Sequence, residues 1–259
     1  MTLNTATELV LAVVFLVLLL AAVEVGRLLA ARHLRQGAEQ VMDTGAIQGA
    51  MLGLLALLLG FSFGGASSRF VERQDLVVSD ANAISTTWLR AGMLEADSAD
   101  VLRAELERYL ARRIGVSADL TALEPEVLIE IAGFHDRIWQ QAMAASARSP
   151  EHHVAVLESI NEMIDVSDLR VAAAQRHLPE AILLLLVICS LMTLLVIGYA
   201  GVMSGMRRTV LTRALAGLIA LALLATVDMD HGRIGFIQVS DQPLLRVAED
   251  RLGTRGMAH

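Results

Sequence analysis

An α-helix needs about 20 consecutive apolar residues to cross the roughly 30 Å hydrocarbon core of a bilayer, and the uncharged run from Ala181 to Met206 exceeds that length. Backbone groups inside a bilayer must all be bonded within the protein, so a run of this kind is read as a spanning helix. Three further runs have similar character. Leu9 to Val23 continues through Glu24 to about Leu29; Ala46 to Gly65 is rich in glycine; Val210 to Val227 admits Arg213 near its start, where a long side chain reaches the interface by snorkelling. No Lys or Arg precedes Arg27, so the first run lacks the positive start of a cleaved signal peptide and is expected to be a retained helix. Hydrophobic residues make up 55% of the chain, which puts it in the membrane class.

The second run, GAIQGAMLGLLALLLGFSFGG, carries six glycines, although each costs a helix roughly 1 kcal/mol relative to alanine. At about 100° per residue, with Gly45 at zero, Gly49, Gly53, Ala56, Gly60 and Gly64 fall at about 40, 80, 20, 60 and 100°. They form one ridge of small residues with three GxxxG spacings, suited to close approach of another helix or of a narrow hydrated path. Either use leads to the expectation that Gly53→Leu destabilises the fold.

Between the second and third spans, residues 66–180 read as successive amphipathic helices. Val77, Ala81, Ile84 and Trp88 make one apolar stripe; Leu102, Leu106, Tyr109 and Leu110 a second; Val127, Ile131, Phe134 and Ile138 a third; Leu157, Ile160, Ile164 and Val171 a fourth. Gly92, Gly115 and Pro125 fall at the breaks, and Ser149 with Pro150 and Glu151 offers capping chemistry for the fourth helix. GGASS is expected to bend the chain at most, and Pro179 to kink it where the third span begins. Ile234 to Val239 alternates weakly as an extended segment would. Pro243 opens a short amphipathic helix with Leu244, Leu245, Ala248 and Leu252, expected to pack on the helical domain or a neighbouring subunit. The fold class is therefore an all-α membrane protein with four transmembrane helices and a helical extramembrane domain inserted between the second and third: 1–65 holds the first two spans, 66–180 the domain, 181–228 the last two spans and 229–259 the tail.

Chemistry-bearing residues are few. Asp75, Ser79, Asn82, Thr86 and Arg90 share a helical stripe, with Arg73 and Asp80 on its flank, either as a solvated face or as an interhelical polar network. Asn161, Asp165 and Asp168, followed by Arg170 and Arg176, are spaced to pair with Arg69, Arg73 or Arg90 if the first and fourth domain helices pack together. Asp228 and Asp230 form a D-x-D at the end of the fourth span, but the following glycine is one place early and Val239 stands where a calcium loop needs glutamate; they are expected to cap the bundle against arginines. Glu24, an acid within a span, either pairs with Arg27 or has a functional role. The histidines are scattered and there is no HExxH, G-x-S-x-G, P-loop or dinucleotide fingerprint. No metal, cofactor or enzymatic activity is expected. The lone Cys189 forms no internal disulfide. A net charge of −7, with 21 arginines and no lysine, argues against nucleic acid as a partner.

Three blocks, FSFGGASSRFVERQDLVVSDANAISTTWLR, NEMIDVSDLRVAAAQRHLPEAI and DMDHGRIGFIQVSDQPL, resemble in order and spacing the signature blocks of the bestrophin-like bacterial membrane proteins, a family of otherwise unknown function. The pattern common in the first block is met here by Arg73, Leu76, Val77, Asp80, Asn82, Ile84, Thr86, Leu89 and Arg90. Asp80 stands where glutamate is more usual, and HGR replaces a more basic, proline-containing segment after Asp230. The remote likeness of that family to true bestrophins implies a pentameric anion channel in a bacterial inner membrane. It also implies an aromatic-lined neck on the second helix, with Phe61 and Phe63 as candidates, and a cytoplasmic helical domain. The arginines of the short loops, Arg27, Arg32, Arg35, Arg207 and Arg208, point the other way, placing that domain outside the cytoplasm.

Two functions follow from these readings. In the first, an oligomeric ion channel uses the second span, with Gly53, Gly60 and Gly64 leaving room, Phe61 and Phe63 as an apolar gate, and Arg69, Arg73 and Arg90 as rims that favour anions. In the second, the glycine ridge packs on the first or third span of a non-conducting scaffold or sensor whose helical domain binds a partner.

Overall fold

The computed structural model describes residues 5–37, 45–117, 125–146, 148, 150–204, 209–231 and 237–255. Among these there are eight helices and no strand: α1 (Thr5–Arg35), α2 (Gly45–Ala91), α3 (Ala96–Ser117), α4 (Pro125–Ser146), α5 (His153–Gln175), α6 (Glu180–Met203), α7 (Thr209–His231) and α8 (Gln242–Arg255). Four stretches, carried by α1, α2, α6 and α7, are long and apolar enough to cross a membrane. At 47 residues, α2 is about 70 Å long, more than twice what a bilayer core requires. It runs unbroken through GGASS, because none of those residues is a proline and each N–H finds its carbonyl one turn back.

The chain divides into two compact units. One comprises residues 2–68 and 177–237. Here α1 lies along α6, and α7 packs on both. Leu19, Val23, Leu55, Leu186, Leu194, Ile219 and Leu223 form its core. The α1–α6 contact closes through two glycines absent from the ridge. A Cβ on Gly26 would collide with the Leu195 carbonyl oxygen, and one on Gly198 with that of Val23. Buried hydroxyls are satisfied within their own helices, Ser190 by the Leu186 carbonyl at 2.7 Å and Thr226 by that of Ala222 at 2.8 Å. The outer surface is apolar, with Val10, Val14, Val17, Leu184, Leu211 and Leu218 exposed, as a lipid-facing surface requires.

The other unit comprises residues 69–176 and the segment from Gln238. Its core joins Val77, Ala81 and Ile84 of α2, Leu102, Leu106 and Tyr109 of α3, Ile131 and Ile138 of α4, and Ile160 and Met163 of α5. Val239 and Leu244 are buried in the same core, so the α8 segment packs on this helical unit. The first three predicted stripes face inward. The fourth is rotated: α5 buries Val156, Ile160, Met163, Ser167 and Arg170, while Leu157 and Ile164 are only partly buried at the edge.

Two local expectations are corrected. The α5–α6 junction is a break rather than a kink: Arg176 leaves the helix at φ −82°, ψ 113°, and Pro179 is the N-cap of α6. Proline disfavours helical geometry in the residue before it and has no N–H to extend α5. At the start of α5, His152 is the N-cap without a side-chain bond; Ser149, to which capping was assigned, lies outside the described residues, as do Ile234 to Phe236 of the weakly alternating stretch.

Candidate functional site

The bilayer-length half of α2 has two unlike sides. Leu55, Ser62 and Ala66 are buried within the protomer. On the other side Gly49, Gly53, Gly60 and Gly64 are exposed, and a Cβ built on any of them meets nothing within 4 Å. Phe61 is 72% exposed and Phe63 45%. The ridge is therefore not the surface by which α2 packs inside its own chain, contrary to the scaffold reading, and Gly53→Leu has room in the protomer, contrary to the destabilisation expected. Glu24 is also resolved: its carboxylate accepts from Arg27 at 2.6 Å in an exposed i,i+3 pair.

The helical unit centres on Asp80 of α2, which is fully buried. Its Oδ2 accepts from Arg113 of α3, through Nε at 3.1 Å and Nη2 at 2.7 Å, and from Arg170 of α5 through Nη1. Both guanidinium groups are buried too. Two cations thus share one carboxylate, a geometry that holds α2, α3 and α5 in register but is costly to break. Burial disfavours the charged form of Arg113, but Tyr109, once ionised at high pH, and the Asp80 carboxylate that bonds it outweigh that and raise its pKa, so it stays a cation. Burial pushes the Tyr109 phenol up to about 12, so it remains a neutral donor. Its oxygen lies 3.1 Å from Nε2 of buried His135. On α3, burial pushes the Glu105 carboxyl up, but hydrogen bonds from Arg137 at 2.6 Å and Arg108 at 2.8 Å dominate and leave its pKa lowered.

Asp80 and Arg170 are the sequence candidates that meet here; the others part company. Arg73, buried, donates to the Ala173 carbonyl at 3.1 Å and to that of Arg176 at 2.6 Å, tying α2 to the last turn of α5. Arg90 donates to the Ala155 carbonyl at 2.7 Å. Neither forms the open cationic rim expected of it: Arg73 bonds carbonyls at the C-terminal end of α5, where they lack helix partners, and Arg90 adds a bond to a carbonyl in the first turn of α5; Arg69 is half-buried. Asn161 donates to Asp165 at 3.1 Å on an exposed face, so Asp165 serves its own helix instead of the α2 arginines. Asn82 is exposed and Thr86 half-buried; the buried hydroxyl is that of Thr87, which donates to the Ser159 carbonyl at 2.9 Å. Asp228 and Asp230 take backbone amides: Asp228 accepts from Ile237 N–H at 2.9 Å and Asp230 from Leu178 N–H at 2.8 Å. Among the described residues no cluster of three or more His, Cys, Asp or Glu side chains is arranged to hold a metal ion.

Burial lowers the pKa of His135, with Asp168 opposing and Arg113 reinforcing the shift. The unfolded chain then takes up this proton first as pH falls below about 6.5, so the imidazole's contribution to stability is full above that value and is lost below it, until the folded state also protonates. The midpoint of thermal unfolding is expected to fall more between pH 7.5 and 5 in the native protein than in His135→Gln. Parallel losses would place the acid-sensitive group elsewhere.

Compared with known proteins, residues 10–244 match the family described as the Bestrophin-like domain. No curated protein matches the chain. The fold is similar to that of a crystallised bacterial bestrophin homologue from Klebsiella pneumoniae, at 15% identity and a TM-score of 0.71, covering 94% of this chain and 98% of that one. A single-substitution variant of that homologue aligns at 15% identity and a TM-score of 0.70, covering 96% and 98%. Such identity speaks for the fold.

Proposed function

Because the chain belongs to the Bestrophin-like family, we propose that it assembles into a homo-oligomeric, anion-selective ion channel, a pentamer by analogy, in a bacterial inner membrane. The helical unit is then the extramembrane insertion between the second and third spans, on the cytoplasmic side. The observation that carries the reading is the exposed side of α2. Its glycines have no neighbour in the protomer, and Phe61 and Phe63 stand exposed among them. Four glycines facing only lipid would weaken the helix by about 1 kcal/mol each for no return. Placed around an axis, the same side leaves room for a hydrated path, and two phenylalanines per subunit form a constriction that gates by dewetting. Anion preference rests on the family likeness, since Arg73 and Arg90 are engaged by backbone carbonyls.

Halide flux into liposomes holding the purified oligomer, with potassium flux and protein-free liposomes as references, tests the reading. Chloride entry above background is expected, and Phe63→Ala and Phe61→Ala are expected to raise it several-fold with oligomer size unchanged. Silence from a folded oligomer would return the protein to the scaffold or sensor class. Unchanged flux in both variants would move the gate off these residues.

A further inference from the structure

The exposed apolar side of α1 runs from Val10 to Leu29, about 30 Å along the axis, which matches the thickness of a bilayer core. Glu24 and Arg27, near the edge of this band, neutralise each other. Arg32 and Arg35 follow about 4.5 and 9 Å beyond Leu29. Helix side chains lean towards the N-terminus, so both guanidinium groups reach the head-group layer, which adds about 5–8 Å on each side of the core. Both arginines are exposed and, among the described residues, neither guanidinium has a partner. The carbonyls that they could cap are already engaged: the Gln36 N–H donates to the Arg32 carbonyl at 3.2 Å, and the N–H of Gly37, at φ 90°, donates to that of Leu34 at 3.2 Å.

At about 100° per residue, Arg32, Arg35, Val25, Leu28 and Leu29 fall within about 120° of one another. That side is turned away from α6, which α1 meets through Val23 and Gly26. Val25, Leu28 and Leu29 are 46%, 63% and 44% exposed, so an apolar strip leads up to the two cations.

This end of the unit of residues 2–68 and 177–237 is positive as a whole. Gly26 and His33 of α1 meet α6 at Tyr199, and the first halves of α1 and α6 line one groove with the last turns of α7. The end of α1, the end of α6 and the start of α7 therefore lie together. Beyond the Glu24–Arg27 pair, the described residues here add Arg32, Arg35 and exposed Arg213 and no acid. The two connections, which lie outside the described residues, carry Glu39 and Asp43 against Arg207 and Arg208, so their formal charges cancel. Tyr199, 2.6 Å from His33 Nδ1 through its hydroxyl, is the kind of aromatic that marks a membrane interface.

We propose that Arg32 and Arg35 hold the phosphate of an anionic phospholipid, a diester such as phosphatidylglycerol, with its acyl chains against Val25, Leu28 and Leu29. Two guanidinium groups three residues apart share one side of the helix, and each presents a fork of N–H donors that phosphate oxygens match. Depth selects a lipid over a soluble phosphate, because the apolar strip adds nothing for an ion without chains. Sign selects among lipids: a zwitterionic head group brings an ammonium into the same positive field, and an anionic one does not. The site stands whether or not the oligomer conducts.

Native mass spectrometry of the delipidated full chain, titrated with phosphatidylglycerol or phosphatidylcholine, reads the first lipid bound per protomer. Phosphatidylglycerol is expected to bind about tenfold tighter or more, the order that two arginines near an anionic head group supply. Arg32→Gln combined with Arg35→Gln is expected to weaken phosphatidylglycerol about tenfold and to leave phosphatidylcholine and thermal unfolding unchanged, since both positions are exposed. Arg246→Gln removes an exposed arginine of the other unit and is expected to change neither affinity. Glycerol phosphate in solution is expected not to displace the lipid. Equal affinity for the two lipids, a preference that survives the double variant, an equal loss in Arg246→Gln, or displacement by glycerol phosphate would each overturn the proposal.

Discussion

Gly198→Leu is expected to leave no protein that survives detergent extraction as a single species, and Gly26→Leu to do the same from the facing helix. At Gly198 a Cβ would collide with the Val23 carbonyl oxygen and lie only 3.0 Å from that residue's Cα. At Gly26 it would strike the Leu195 carbonyl and come within 2.9 Å of the Tyr199 nitrogen. All of these atoms belong to backbone inside a helix, so no side chain can swing aside; the two helices must separate. Separation unpacks Leu19, Val23 and Leu194, which are almost wholly buried, and breaks the 2.6 Å contact between Tyr199 Oη and His33 Nδ1. Inserting one methylene into a packed core costs about 1–3 kcal/mol, and a whole leucine side chain at a backbone contact exceeds that range. Gly53→Leu and Gly60→Leu supply the contrast, because nothing lies near either Cβ position. Their expected effect is on assembly size and flux, with protomer unfolding close to native. A Gly198→Leu protein that unfolds at the native temperature would mean that the α1–α6 crossing is not as close as described.

That contrast also shows what the sequence made legible. A repeat of small residues announces itself at Gly49, Gly53, Gly60 and Gly64, yet spacing says only that a backbone is laid bare, not what approaches it. Gly198 stands outside any such repeat and Gly26 lies in a spacing with only alanines, Ala22 and Ala30, and the role of the two glycines arises from two segments far apart in the chain. Helix number, the stripes of α2, α3 and α4 and the breaks near Gly92 and Pro125 were readable, because burial imposes a 3.6-residue period on local sequence. The polar stripe legible in the sequence lies about a third of the way around α2 from its buried members. Arg73, Asp80 and Thr87 are seven residues apart, a period that marks the inward side as surely as leucines do. Arg113 carried a signal of the same kind, since it continues the stripe of Leu102, Leu106 and Tyr109, a position a solvated arginine would not occupy. Partners are another matter. That Asp80 meets Arg113 and Arg170, and that Asp228 and Asp230 serve backbone amides, depends on which helices pack together and where the chain turns.

Asp80→Ala is expected to destabilise the helical unit by about 3–5 kcal/mol, because it leaves two buried guanidinium groups with no carboxylate between them. The cluster predicts an order as well as a size. Arg170→Met removes one cation and leaves Asp80 paired with Arg113 through two hydrogen bonds, so charge inside the core becomes balanced; its cost is expected to be well below that of Asp80→Ala. Asp80→Asn falls between, keeping an acceptor for one arginine but no countercharge for either. Both tryptophans of the chain, Trp88 and Trp139, lie in this unit, so intrinsic fluorescence during urea unfolding reports on it selectively. If Asp80 were merely one surface ion pair, each substitution would change stability by less than about 1 kcal/mol. If Arg170→Met proved as damaging as Asp80→Ala, the arginine would be holding α5 by contacts other than its charge. The double variant Asp80→Ala with Arg170→Met separates these cases: it leaves one buried guanidinium beside the deleted carboxylate where Asp80→Ala leaves two, and is therefore expected to recover part of the lost stability.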